Sequence, residues 1–316
     1  MDFSDIATLH LGTQAPDLDR AAACLAAGEL VALPTETVYG LGADARNGPA
    51  VAGIYAAKGR PSFNPLIVHV ADVARAQRYV RWSKAAQQLA QAFWPGPLTL
   101  VLPLRDGHGL SPLVTAGLGT LAVRVPAHPV AQALLRRVDG PVAAPSANPS
   151  GRISPTTAQH VLEGLSGRIA AVVDAGPCTV GVESTIVGLS DDPTLLRPGG
   201  VPSDAIETVL GSPLTRLQDQ DPITAPGQIL SHYAPQAAVR LNAADARENE
   251  VMLGFGAIAG TLTLSASGNL TEAAANLFGH LHALDATGQP IAVAPVPEHG
   301  LGLAINDRLR RAAAPR

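Results

Sequence analysis

The chain has 316 residues, 47% hydrophobic, 15% charged and only 3% aromatic, with a formal net charge of −4. Two domains with aliphatic, alanine-rich cores suit that length. The slight acidity argues against a protein held to nucleic acid by bulk charge, though a local basic patch stays open. Cys24 and Cys178 stand apart with no metal-type spacing, which argues against a disulfide framework or a zinc site. "MDFSDIATLH" carries neither the basic nor the apolar stretch of an export signal, and no apolar run is long enough to span a bilayer. A soluble, cytoplasmic chain is expected.

In chain order, Asp17 is placed to cap a helix running to Ala27 and ended by Gly28. "ELVALP" reads as a buried strand stopped by Pro34. "GPAVAGIYAAKG" reads as a helix with Pro49 near its start and Gly59 past its end. "PLIVHV" is a strand, "DVARAQRYV" and "SKAAQQLAQAFW" are helices, and "LTLVL" and "TLAVRV" are strands flanking a glycine-rich loop at 107–119. A helix "PVAQALLRRV", a short strand "PVAA" and a helix "SPTTAQHVLEGL" capped by Ser154 follow, then strands in "IAAVVDAG", "STIVGL" and "PTLLRPGG". Because strands and helices do not alternate strictly, a twisted mixed sheet is expected over a purely parallel one. Residues 211–235 show neither period and read as a linker. Beyond it, "AAVRL", "EVMLGF", "TLTLS", "TEAAANLFGHLHAL", "IAVAPV" and "GLAINDRLRRA" make a second, smaller α/β unit. The expected division is 1–210, 211–235 and 236–316.

No GxxxxGK[ST] is present, which excludes a P-loop protein. "GFGAIAG" at 254–260 imitates a dinucleotide loop, but its third glycine falls one place late and a strand-like segment follows; a tight turn between strands is the better reading. Lys58 is one of two lysines in the chain and stands two residues before Arg60 at a Gly/Pro turn. A mobile point charge beside a planar fork suits an oligophosphate, and a solvated helix end is the plain alternative. His69 lies in an apolar strand as a core histidine or a ligand. Arg124, inside "TLAVRVP", needs an anionic partner, either a structural carboxylate or a substrate's. "PTETVYGLGADA" (34–45) offers Thr35 and Thr37 at a strand end, or is an ordinary strand–turn. "APSANPSGRIS" (144–154) is an anion-binding nest or a polar turn. Ser184, Thr185 and Arg197 sit at further strand ends, and His232 and Tyr233 in the linker. Together these residues supply cations and hydroxyls without a carboxylate pair, metal cluster or marked nucleophile. Such a set binds anions and stabilises charge at phosphorus.

In order, "PTETVYGLGADA", "KGRP…NPLIVHV", "FWPGPLTLVL", "LAVRVPAHPVAQALL", "PVAAPSANPSG", "DAGP…GVESTIV" and "LLRPGG" resemble the YrdC-like threonylcarbamoyl-adenylate synthase family in its longer, two-domain form. The likeness runs over about residues 15–210 and resumes at "APGQILSHYAP". It implies a YrdC-like catalytic domain, a linker that folds over the site, and a small Rossmann-like C-terminal domain. The reaction it implies joins L-threonine, bicarbonate and ATP, with Mg²⁺ held mainly by the ATP phosphates, into threonylcarbamoyl-AMP and pyrophosphate. The product would feed downstream proteins that transfer the threonylcarbamoyl group to a tRNA adenosine beside the anticodon. By the same resemblance, Lys58 and Arg60 form the phosphate-binding pair with Ser146 and Asn148 completing it. Asn64, Thr120, Ser154, Arg197 and Tyr233 are nucleotide-side positions; Thr35, His69, Arg124 and Ser184 are threonine-side positions, Arg124 on the carboxylate. Two departures stand out. The linker reads "ILSHYAP" where some members have a basic "KYKHYAP" type, and the C-terminal unit is short for the family. An RNA-binding protein using a basic concavity is the alternative from another class. A carbamoyl-transfer domain of the hydrogenase-maturation type would need acylphosphatase and zinc-finger segments that are absent.

Overall fold

The computed structural model describes residues 6–216 and 233–315. Strand β1 (Leu9–Leu11) leads into helix α1 (Ala15–Ala26), and β2 (Val31–Leu33) and β3 (Gly40–Asp44) precede α2 (Gly48–Lys58) and β4 (Ile67–His69). Helices α3 (Val73–Ala76) and α4 (Lys84–Phe93) come before β5 (Leu98–Pro103), and α5 (Pro112–Thr115) before β6 (Thr120–Arg124). Next are α6 (Pro129–Val138), β7 (Val142–Ala143), α7 (Ala158–Leu165), β8 (Ala171–Val173), β9 (Thr185–Gly188), β10 (Thr194–Arg197), α8 (Ser203–Leu210) and β11 (Thr215–Arg216). The C-terminal unit holds β12 (Val239–Arg240), β13 (Val251–Gly254), β14 (Leu262–Thr263), α9 (Leu270–Asp285), β15 (Ile291–Val293) and α10 (Gly302–Ala312).

Among the described residues, β1 to β11 form one mixed sheet in the order β1-β8-β2-β3-β7-β4-β6-β5-β9-β10-β11. Parallel pairs such as β4/β6 alternate with antiparallel pairs such as β5/β6 and β4/β7. The second sheet, β12-β15-β13-β14, is parallel throughout. Helix α2 is apolar nearly all round and correspondingly buried, so it lies in the core and not on the surface. Asn47 caps it by accepting from Ala50 N, and Gly59 ends it in the left-handed conformation, at φ +60°. That turn is what delivers Arg60 to the sheet's rim.

Several sequence expectations shift. Helix α1 starts two residues before Asp17, whose carboxylate accepts from Gly12 N and does not cap. Helix α7 is capped by Thr157, which leaves the Ser154 hydroxyl for other work. Only Val73–Ala76 of "DVARAQRYV" is helical, and the 107–119 loop contains α5. Strands β1 and β3 add to the expected elements. β3 carries Gly40 and Gly42 inside it, residues that weaken strand signals; a Cβ on Gly42 would lie 2.8 Å from Leu33 Cδ2 and 3.0 Å from Val142 Cγ1. The expected linker begins as β11, paired parallel with β10. Its stretch 217–232, including His232, lies outside the described residues. "GFGAIAG" folds back on itself, Phe255 N donating to Ile258 O. Among the described residues no helix is long and apolar enough to cross a membrane.

The two units share a core. Val38, Ile153 and Val182 of the first pack in one cluster with Leu277, Phe278 and Leu281 of α9. Gly181 marks the tightest approach: at φ +75°, a Cβ there would sit 2.4 Å from Ala274 O and 2.5 Å from Ala275 Cα. Gly181→Ala is expected to lower the unfolding free energy by at least about 1 kcal/mol from the left-handed backbone alone, with the clash against α9 adding to it. A urea unfolding curve checks this, and an unchanged midpoint would contradict the contact.

Candidate functional site

Strand ends from across the large sheet converge on one cleft. His69 ends β4 and Arg124 ends β6, and the parallel register sets them side by side. Thr35 and Thr37 come from the turn between β2 and β3, Ser146 from the loop after β7, Ser184 from the start of β9 and Arg197 from the end of β10. Arg60 enters from the α2 turn, and Tyr233 from the last, described residues of the expected linker.

Each cation is anchored by neighbours. Arg124 donates from Nη2 to Glu36 Oε1 at 2.5 Å, from Nη1 to Thr37 Oγ1 at 2.9 Å and from Nε to Gly96 O at 3.2 Å. Its structural carboxylate is therefore Glu36. A guanidinium has five N–H groups, so one remains on each Nη for a ligand. Burial would raise the Glu36 pKa, but the charge and hydrogen bond of Arg124 outweigh it and hold the carboxyl below its ordinary value. Arg60 donates to Asn64 O at 3.3 Å and Pro65 O at 2.9 Å; burial pushes its pKa down to about 10. Arg197 donates to Ser184 O at 2.9 Å and Ser184 Oγ at 3.2 Å, and burial lowers its pKa too. Burial, then the charge of Arg124, pushes His69 down to about 3, so the imidazole is neutral at pH 7. Among the described residues its Nδ1 has no hydrogen-bond partner. The hydroxyls are oriented as well: Thr35 Oγ1 lies 2.8 Å from Thr37 Oγ1, and Ser184 Oγ 2.7 Å from Thr99 Oγ1.

Lys58 is neither a solvated helix end nor mobile. It is 3% exposed, and its ammonium donates to Ser146 O at 2.6 Å and to Asn148 O. Burial, then the nearby Arg60, lowers its pKa well below the ordinary lysine value. The lysine thus ties the α2 turn to the 146–148 loop. Asn148 spends its amide N–H groups on Pro149 O and Arg152 O, and its Oδ1, like that of Asn64, is buried with no partner among the described residues. Ser154 sits just behind the cleft wall and donates to Glu183 Oε1 at 2.5 Å. Thr120 is not brought in. It occupies the opposite end of β6 from Arg124, about 13 Å away along an extended strand.

Three charged residues escaped the sequence reading. Glu36 partners Arg124. Glu183 is the one carboxylate among the residues lining the cleft. Arg308 of α10 is fully buried and donates to Glu183 Oε2 at 3.0 Å. The placing of Arg124 inside an apolar strand was the one available signal, since a buried Arg implies a carboxylate somewhere. Nothing local marks Arg308, which reads as one more polar position on an amphipathic helix.

Burial of His69 and the pairing of Glu36 with Arg124 both make acid destabilising. His69 is held near 3 against an ordinary 6.5, so between those values the unfolded chain binds a proton that the folded chain refuses. Glu36, shifted the same way, contributes stability above its unfolded pKa that is lost as pH falls through its folded one. Stability is expected to fall as pH drops from 6.5 to 4.5. Each such proton adds at most about 1.4 kcal/mol per pH unit, and His69→Gln should flatten the slope. Urea midpoints across that range check it, and a rise in stability on acidification would contradict it.

Residues 23–199 match a family model described as "Telomere recombination", and 201–314 match one described as "Threonylcarbamoyl-AMP synthase, C-terminal domain". A threonylcarbamoyl-AMP synthase of Bacillus subtilis is 44% identical, covering 99% of this chain and 97% of its own. One from Pyrococcus abyssi is 41% identical over 93% of each. The structure of P. abyssi Sua5 complexed with L-threonine superposes with a TM-score of 0.89 at 39% identity, over 97% of both chains. With both of its units matched in order and relatives alike along nearly its whole length, this chain belongs to the two-domain threonylcarbamoyl-AMP synthase family.

Proposed function

We propose that the chain is a threonylcarbamoyl-AMP synthase that makes threonylcarbamoyl-AMP and pyrophosphate from L-threonine, bicarbonate and ATP. The observation that carries this reading is the gathering of three buried guanidiniums, Arg60, Arg124 and Arg197, around one cleft with a single lining carboxylate. Such a cleft suits two anions at once: an amino acid carboxylate and a polyphosphate.

In this reading the two remaining N–H groups of Arg124 take the threonine carboxylate, and Ser184 and Thr35 flank it. His69, neutral and with Nδ1 unpartnered among the described residues, accepts a hydrogen bond from the substrate without repelling its amine. The amine's lone pair adds to carbon dioxide, losing a proton to solvent, or to bicarbonate, releasing water, and gives a carbamate. A carbamate oxygen then attacks the α-phosphorus of ATP. The bond to the β-phosphate bridging oxygen breaks and pyrophosphate leaves with that electron pair. Arg60 and Arg197 offset the charge that grows on it, and Lys58 holds the 146–148 loop in place for the same phosphates. Carbamates decompose in water, so a closed site protects the intermediate, and Tyr233 lies on the wall where closure would occur.

Magnesium enters this account only as part of the nucleotide substrate. Among the described residues no group of three or more His, Cys, Asp or Glu could hold an ion, and both oxygens of Glu183 are engaged by Ser154 and Arg308. The product would pass to proteins that transfer the threonylcarbamoyl group to tRNA. The RNA-binding alternative gains little from the cleft, where Tyr233 and the imidazole of His69 are the only aromatic rings among the lining residues.

The test is pyrophosphate release by the purified chain with Mg·ATP. Release should require threonine and bicarbonate together. Equal release with threonine left out would remove the assignment.

A further inference from the structure

Arg308 belongs to the C-terminal unit, yet its guanidinium lies against the wall of the cleft. Nε donates to Glu183 Oε2 at 3.0 Å, Nη1 donates to Pro198 O at 2.5 Å, and Cζ stands 5.5 Å from the centre of the Tyr233 ring. Glu183 immediately precedes Ser184, and Pro198 immediately follows Arg197. One side chain from the second domain therefore touches Tyr233 itself and the chain neighbour of two more cleft residues. The other oxygen of Glu183 accepts from Ser154 Oγ, and the Ser154 carbonyl lies 3.2 Å from Nε2 of His282 on α9. The C-terminal unit thus grips the same corner of the cleft from two helices.

A buried ion pair is a poor way to glue two domains, because desolvation offsets most of its attraction and apolar residues of the same volume do as well or better. The shared apolar cluster around Val182 and Phe278 already supplies that adhesion. What a planar guanidinium adds is direction: it fixes a carboxylate, a carbonyl and a ring at set angles.

We propose that Arg308 is a positioning residue for the synthase reaction, acting through Glu183 to hold the Ser184, Arg197 and Tyr233 corner of the cleft in its reactive geometry. The second domain is by this inference a working part of the active site and not an appended module. The inference rests on the proposed synthase activity.

The experiment uses the full-length chain and four variants: Arg308→Met, Arg308→Lys, Glu183→Gln and the Glu183→Gln/Arg308→Met double. Pyrophosphate release is measured against ATP and against threonine, below the unfolding midpoint of each variant. Arg308→Met should lower kcat/KM for ATP by about tenfold to a hundredfold, the scale expected of displacing a reacting group by about 1 Å. Arg308→Lys should recover part of that loss, since an ammonium reaches the carboxylate but cannot hold all three partners. The double variant should be no worse than the worse single one, because the pair acts as a unit. Wild-type kinetics in Arg308→Met with only a lowered midpoint would overturn the proposal, as would losses that simply add. Should Arg308→Met fail to fold, Arg308→Lys and Glu183→Gln decide it: wild-type kcat/KM for ATP in both overturns it. A wild-type chain that releases no pyrophosphate would instead sink the synthase reading itself.

Discussion

Keeping several positive charges inside an aliphatic protein is the constraint from which the rest of this structure follows. An isolated guanidinium or ammonium out of water is expensive, so each needs oxygen atoms fixed around it before any ligand arrives. The chain supplies them mostly from its backbone. Lys58 takes the carbonyls of Ser146 and Asn148, Arg60 those of Asn64 and Pro65, and Arg197 that of Ser184. Carbonyls carry no net charge, so they orient a cation without cancelling it. The carboxylates used, Glu36 and Glu183, each meet a single arginine at short range, Arg124 and Arg308. The result is a cleft whose field still favours anions although every cation in it is held.

The mixed sheet is what allows that arrangement. Antiparallel and parallel neighbours bring strand ends of both kinds to one rim, so β4 and β6 contribute their last residues while Ser184 enters just before the start of β9. Tight backbone approaches complete it. Gly199 passes so close to Ser184 that a Cβ would lie 2.3 Å from its carbonyl carbon, and Gly181 lets α9 of the second unit close over the segment leading to Glu183.

Most strands and the long helices were legible in the sequence because they rest on local signals: apolar runs such as "PLIVHV", Pro49 and Gly59 around α2, and the heptad-like spacing of α9. The cations were legible as a set because lysine is so rare here and because Arg124 interrupts an apolar strand. Their partners were not, since a hydrogen bond from Lys58 to a carbonyl 90 residues away leaves no mark in either segment. β3 was hidden by its glycines; the small size of Gly42 is required by Leu33 and Val142 and not by any turn. Ser154 looked like a helix cap because its neighbours Thr156 and Thr157 offer the same chemistry, and only the three-dimensional contact with Glu183 separates them. Arg308 was invisible for the deepest reason: its importance lies in another domain.

To make threonylcarbamoyl-AMP, one cleft must hold a nucleotide's phosphates and an amino acid's carboxylate within reach of each other. A crystal structure of the chain with L-threonine and a non-hydrolysable ATP analogue tests it most directly. The carboxylate should lie on Arg124 and the phosphates on Arg60, in one continuous density with the amine turned toward the α-phosphate. Ligands bound in separate, unconnected places, or phosphates away from Arg60, would contradict it.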